Sequence, residues 1–144
     1  ERNQATFSSY GADCGDQSGN ADYQLNLTER PKVVRAALLQ TLENLDDAGI
    51  SQGAAFDAIV YPTILGIAPA LGKSPTAGTN NRLSPFSGFP ALTMPAGMTS
   101  TSPALPVGLE MLGREFDEKT LLKLAYSYQQ IAHPRQAPTF TPEL

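Results

Sequence analysis

The alternation of apolar and polar positions divides the chain into two helices, three short strands and two loop-rich stretches. Residues 1–27 are polar, rich in Gly, Ser, Asn and Asp, and show no sustained period. They predict a loop-rich lead-in with at most a short helical turn near Asp22–Leu27. Val34, Leu38, Leu42 and Leu45 then fall on one stripe, which predicts a helix over about residues 30–48. Pro31 suits its first turn and Gly49 its stop. Asp46 and Asp47 would sit in the last turn, opposing the helix dipole and leaving that end solvated.

Three apolar segments read as strands. Residues 57–61 (DAIVY) form an almost unbroken apolar run ending at Pro62, as expected of a strand covered on both faces. Residues 91–94 (ALTM) are closed by Pro95 and Gly97. Residues 107–113 (VGLEMLG) alternate, with Val107, Leu109 and Met111 on one side. The Thr/Ser/Pro-rich connection between the last two suits an antiparallel pair. Asp117 is placed to cap a final helix over about residues 117–132, with Phe116 and Leu121 at the spacing of a hydrophobic staple. Its apolar stripe is Leu121, Leu124, Ala125, Tyr128 and Ile131 or Ala132, and Pro134 ends it. The predicted class is α/β, with short strands of a mixed sheet and a helix packed on it.

The stretch from Thr63 to Pro90 separates two strands, is rich in Pro and Gly and has no clear period. So long a connection in a compact domain signals a functional site or a join to further structure. Near its end, Gly88 and Pro90 bracket Phe89 where a tight turn must deliver the chain into a buried strand. Gly108 and Gly113 would let neighbouring backbone approach closely.

Composition narrows the function. Apolar residues make up 41% and charged residues 17%, as in a folded domain. A net charge of −4 with 10 scattered basic residues argues against nucleic acid as a partner. No apolar run approaches the ~20 residues of a membrane span. Cys14 is the single cysteine, so no internal disulfide forms, and nothing near it marks a lowered thiol pKa. His133 lies at a helix end beside Pro134, where it complements the dipole rather than serving a triad. No His/Cys cluster suits zinc, and no metal or cofactor is expected. The GKS at Gly72–Ser74 fails as a phosphate loop, because five residues rather than four separate Gly66 from Gly72 and Pro75 follows.

The segments TNNRLSPFSGFPALTMPAGMT (residues 79–99) and LPVGLEMLGREFDEKTLLKLAYSYQQ (residues 105–130), with DAIVYPT (residues 57–63) upstream, resemble the C-terminal portion of amidase-signature enzymes. The matching features are Asn80 and Asn81, Ser87–Pro90, Pro95–Gly97, Pro106–Gly113 and Asp117–Leu122. The resemblance implies that residues 28–144 are the C-terminal part of an amidase-signature domain completed by upstream sequence. Asn81, Gly88 and Pro90 would then be its structural turn residues. It also implies a serine amidohydrolase that forms an acyl-enzyme through a Ser–cis-Ser–Lys triad. A neutral Lys accepts the serine proton through the bridging Ser, and backbone amides hold the oxyanion.

No catalytic residue of that set is found in this chain. The Gly/Ser-rich signature is absent, and Lys32, Lys73, Lys119 and Lys123 lie outside the family's catalytic context. By resemblance, Tyr61, Pro62, Thr63, Ile64 and Leu65 are the substrate-pocket candidates, with the apolar ILGIAPAL stretch lining an apolar-tolerant pocket. The implied partners are the N-terminal part of the same parent protein and a small-molecule amide. Self-association through unpaired sheet edges is expected of the piece alone. The alternative reading is a non-catalytic scaffold or interaction module derived from the same fold.

Overall fold

The computed structural model describes residues 18–74 and 78–137. Most of the predicted lead-in, Cys14 included, lies outside the described residues. The elements in chain order are α1 (Ala21–Leu42), β1 (Ile59–Pro62), α2 (Leu83–Ser87), β2 (Ala91–Met98), β3 (Pro106–Leu112) and α3 (Glu118–Ala132).

Helix α1 departs from its predicted bounds of about 30–48 at both ends. It starts nine residues earlier because Asn20 caps it, its side chain accepting the Tyr23 N–H at 3.1 Å. Pro31 therefore lies inside the helix, where it withholds one backbone donor. The helix also stops short of Gly49. Asn44 adopts a left-handed φ of 55°, its N–H donates to Thr41 O, and the Leu45 N–H donates to Gln40 O. This is a Schellman closure with Asn in the place usually taken by Gly. Asp46 thus falls in the following loop, where its carboxylate accepts the N–H groups of Ala48 and Ile50. It satisfies a turn there and does not oppose a helix dipole.

The sheet has the order β1-β3-β2 and both pairings are antiparallel, so it is not mixed as predicted. Leu112 stands opposite Ile59 on one side and Ala91 on the other, and Glu110 opposite Tyr61 and Thr93. Strand β2 runs past Pro95 to Met98, with a bulge between Pro95 and Gly97 that absorbs one unpaired residue. The DAIVY run is not covered on both faces, since Val60 is 50% exposed.

Two cores hang on opposite faces of β3. Leu38 and Leu42 of α1 pack with Phe89 and Leu112, and Leu42 and Leu112 are both fully buried at 0% exposure. On the other face Leu121 and Ala125 of α3 pack with Met94 and Met111. Gly113 makes room for α3: a Cβ there would lie 3.2 Å from Leu121 Cγ. The close neighbour is thus a side chain rather than backbone.

The Gly88–Pro90 turn seats Phe89 in the first core. Gly88 closes α2 at a left-handed φ of 73°, and its N–H donates to Ser84 O. Arg35 reaches across from α1, donates to Ser87 O at 2.7 Å and lies over the Phe89 ring. Arg35 also pairs with Glu115, while Arg114 donates to Glu43, Phe56 O and Leu42 O.

Two predicted details of α3 do not form. Phe116 is 85% exposed at a positive φ, so it makes no staple with Leu121. The Asp117 carboxylate occupies the cap position but accepts the Thr120 hydroxyl at 2.7 Å instead of a backbone N–H. The apolar stripe holds from Leu121 to Tyr128 and fails at Ile131, which is exposed.

Leu112 joins both ladders and one core, so Leu112→Ala is expected to cost about 2–5 kcal/mol of unfolding free energy. Urea denaturation of the purified chain measures it. A loss below about 1 kcal/mol would show that Leu112 is not the anchor.

Candidate functional site

Strand β1 ends where the long connection begins, and the chain there is held by its own backbone. Thr63 O accepts the Asn80 N–H at 2.9 Å and the Thr79 hydroxyl at 3.1 Å, and the Leu65 N–H donates to Gly78 O. Ile64 and Thr79 form an isolated antiparallel bridge. The Asn80 side chain donates to Pro62 O at 2.9 Å. Asn81 contributes its backbone N–H, which donates to the Thr79 hydroxyl at 3.3 Å. The two ends of the connection that leave β1 and approach α2 are therefore held together at its base.

This closure leaves a cleft of about 440 Å³. Thr63, Ile64, Leu65, Gly66 and Ile67 form one wall, and Thr93, Val107 and Gly108 from the sheet form the other. The size falls within the range of small-ligand pockets. Among the described residues the lining carries no ionisable side chain. Its only side-chain polar groups are the two threonine hydroxyls, and Thr63 Oγ1 is buried without a hydrogen-bond partner among the described residues. A buried hydroxyl left unpaired is costly to a fold, so this one stands out.

The five pocket candidates separate into two groups. Thr63, Ile64 and Leu65 line the cleft, whereas Tyr61 and Pro62 are not among its lining residues. Tyr61 faces the α1 side of the sheet and donates its hydroxyl to Glu110 Oε1 at 2.7 Å. Burial raises the Tyr61 pKa, and the hydrogen bond to Glu110 and its negative charge push it further in the same direction. Glu110 is itself only 4% exposed, at the centre of β3. The pair locks β1 to β3 just before the cleft.

Thr93, Val107 and Gly108 were beyond reach of sequence reasoning as lining residues, because they join the cleft only through strand pairing. Pro62 pairs with Leu109, so the next residue, Thr63, comes beside Gly108. The available signal was a glycine inside an alternating strand.

The serines near the Gly88–Pro90 turn serve structure: Ser84 Oγ donates to Phe89 O and Ser87 Oγ to Leu83 O. Lys32 is exposed and pairs with Glu29. His133 takes the left-handed C-cap of α3. Among the described residues no group of His, Cys, Asp and Glu could hold a metal ion, and no helix is long and apolar enough to cross a membrane.

No protein-family model matches the chain. It is similar to "Putative amidase AmiD" of Mycobacterium tuberculosis, with 33% identity over 132 residues, covering 88% of this chain and 26% of the relative. It is also similar to a glutamyl-tRNA(Gln) amidotransferase subunit from Parvibaculum lavamentivorans, with 45% identity over 53 residues, 37% of this chain and 10% of the relative. The corresponding Clostridium botulinum protein is 37% identical over 86 residues, 52% of this chain and 16% of the relative. Among solved structures, the crystal structure of PAM12A superposes with a TM-score of 0.65 at 28% identity, covering 92% of this chain and 25% of that one. The chain thus spans about a quarter or less of the relatives it matches.

The Tyr61–Glu110 pair gives the fold a pH signature. The folded-state Tyr61 value lies above that of a free tyrosine, so the folded chain holds the proton more tightly. The contribution is whole below about pH 10 and is lost as pH rises through the raised value. Wild type is expected to lose stability more steeply than Tyr61→Phe as pH rises above about 10, measured by urea unfolding. Parallel profiles would show that the hydroxyl is not so held.

Proposed function

We propose that this chain, which belongs to the amidase-signature family, forms one wall of the substrate pocket in a serine amidohydrolase whose catalytic groups lie in upstream sequence. The observation that carries this is the cleft at the end of β1, apolar in its lining and built from Thr63–Ile67 against the sheet, in a chain similar over most of its length to an amidase. The reaction follows from the family resemblance. A serine oxygen attacks the amide carbonyl carbon, and its proton passes through the bridging Ser to the neutral Lys. The C–N bond breaks as the amine takes a proton, leaving an acyl-enzyme that water hydrolyses. Backbone amides stabilise the charge that develops on the carbonyl oxygen.

In this reading the chain supplies shape and exclusion of water, not proton transfer. The apolar walls hold the group next to the scissile amide, while Tyr61, Glu110 and Asn80 fix the strand end from which those walls project. The upstream part of the parent joins at the outer edges of β1 and β2, each of which is hydrogen-bonded to β3 alone among the described residues. Large apolar side chains exposed on α1, such as Leu25, Leu27 and Val33, support a further contact surface. In isolation the same surfaces favour self-association.

Two measurements test this reading. Purified 1–144 is expected to turn over no anilide or simple amide; measurable hydrolysis would place a catalytic centre within it. In the full-length protein, Ile64→Ala with Leu65→Ala is expected to change relative kcat/KM among amides of different apolar size by about tenfold or more. Unchanged preference would favour a scaffold role for this segment.

A further inference from the structure

One residue lining the cleft, Gly108, has no side chain. On the α1 face of β3 the residues alternate Gly108, Glu110, Leu112, and the two beyond Gly108 carry long side chains that are buried. Only the position bordering the cleft is empty. A Cβ built on Gly108 would lie 3.4 Å from Thr93 Cγ2 and 3.8 Å from Thr63 Oγ1, both ordinary contact distances. The backbone there is not in the left-handed region, so an alanine would meet neither strain nor clash. Glycine weakens a strand interior relative to alanine. Among the described residues neither backbone geometry nor close packing requires it at 108, which leaves the space itself as what the glycine provides.

We propose that Gly108 is a specificity-determining residue: it sets the depth of the cleft and so the length of the apolar group carried by the amide. This rests on the pocket-wall reading above. An uncharged group is indicated because Ile64, Leu65, Ile67 and Val107 line the space and, among the described residues, no ionisable side chain does. An aliphatic or aryl group fits this lining, and it enters between Thr63 and Thr93 to end over Gly108. The group belongs to either the acyl or the amine side of the substrate, and the two are separated by the arms of the test. The competing occupant is a segment of the upstream chain.

The experiment uses the full-length protein with Gly108→Ala, Gly108→Val and Leu65→Ala. One arm measures kcat/KM for acetamide, butanamide and hexanamide, and the other for acetamides N-substituted with methyl, propyl and pentyl. The quantity read is the ratio of the longest to the shortest substrate within each variant, so a reduced folded fraction cancels. The ratio is expected to fall about tenfold in Gly108→Ala and further in Gly108→Val, in one arm only, and to rise in Leu65→Ala. That arm identifies the side of the amide that the cleft takes. Ratios within about twofold of wild type in both arms for both Gly108 variants would overturn the proposal and assign the cleft to the upstream chain. If wild type hydrolyses no amide of either series, the pocket-wall reading falls as well, which distinguishes the two failures.

Discussion

The described elements are arranged around one strand that is hydrogen-bonded on both sides. β3 accepts β1 and β2 as antiparallel neighbours and sends alternate side chains into two separate cores. Leu112 faces α1 while Met111 faces α3. A one-residue slip of this strand would exchange the two faces, burying the wrong set on each side, so the register is strongly held. Arg35 and Arg114 reinforce it from the flanks, tying the C-terminal half of α1 and the Phe89 turn to the segment after β3.

The cleft is a consequence of that register. Because Tyr61 stands opposite Glu110, the chain leaves the sheet at Pro62 with Thr63 beside Gly108. The part-buried Tyr61–Glu110 hydrogen bond fixes the next-to-last pair before the departure, and Asn80 and Thr79 fix Pro62 and Thr63. The loop that follows has no choice but to stand over the bare end of β3. Packing at the Leu112 end of the strand thereby defines a space at its other end, and the chemistry offered there is apolar contact with two hydroxyls.

Much of this was legible in the sequence wherever it depended on local pattern. The stripe Leu121, Leu124, Ala125, Tyr128 located α3, and the three apolar runs located the strands. The bounds of α1 were misread because Asn20 and Asn44, the residues that start and stop it, are less emphatic than Pro31 and Gly49 nearby. The staple failed because Phe116 takes a backbone conformation that points it outward, which spacing does not reveal. Three of the eight residues that line the cleft, Thr63, Ile64 and Leu65, are among those the family resemblance implies; Thr93, Val107 and Gly108 are not, since they depend on the last strand lying in the middle of the sheet. Pairing between strands distant in sequence leaves no mark on either strand alone.

The role proposed for this chain is to shape a site whose nucleophile lies elsewhere. Its most direct test is a single probe that reports both positions: an alkyl fluorophosphonate with a photoreactive group on the alkyl tail, reacted with the full-length protein, irradiated and mapped by peptide mass spectrometry. The phosphonyl group should be found on a serine outside residues 1–144, with the tail crosslinked within residues 63–67 or 107–108. A phosphonylated serine inside these 144 residues, or a tail that crosslinks to neither segment, would contradict it.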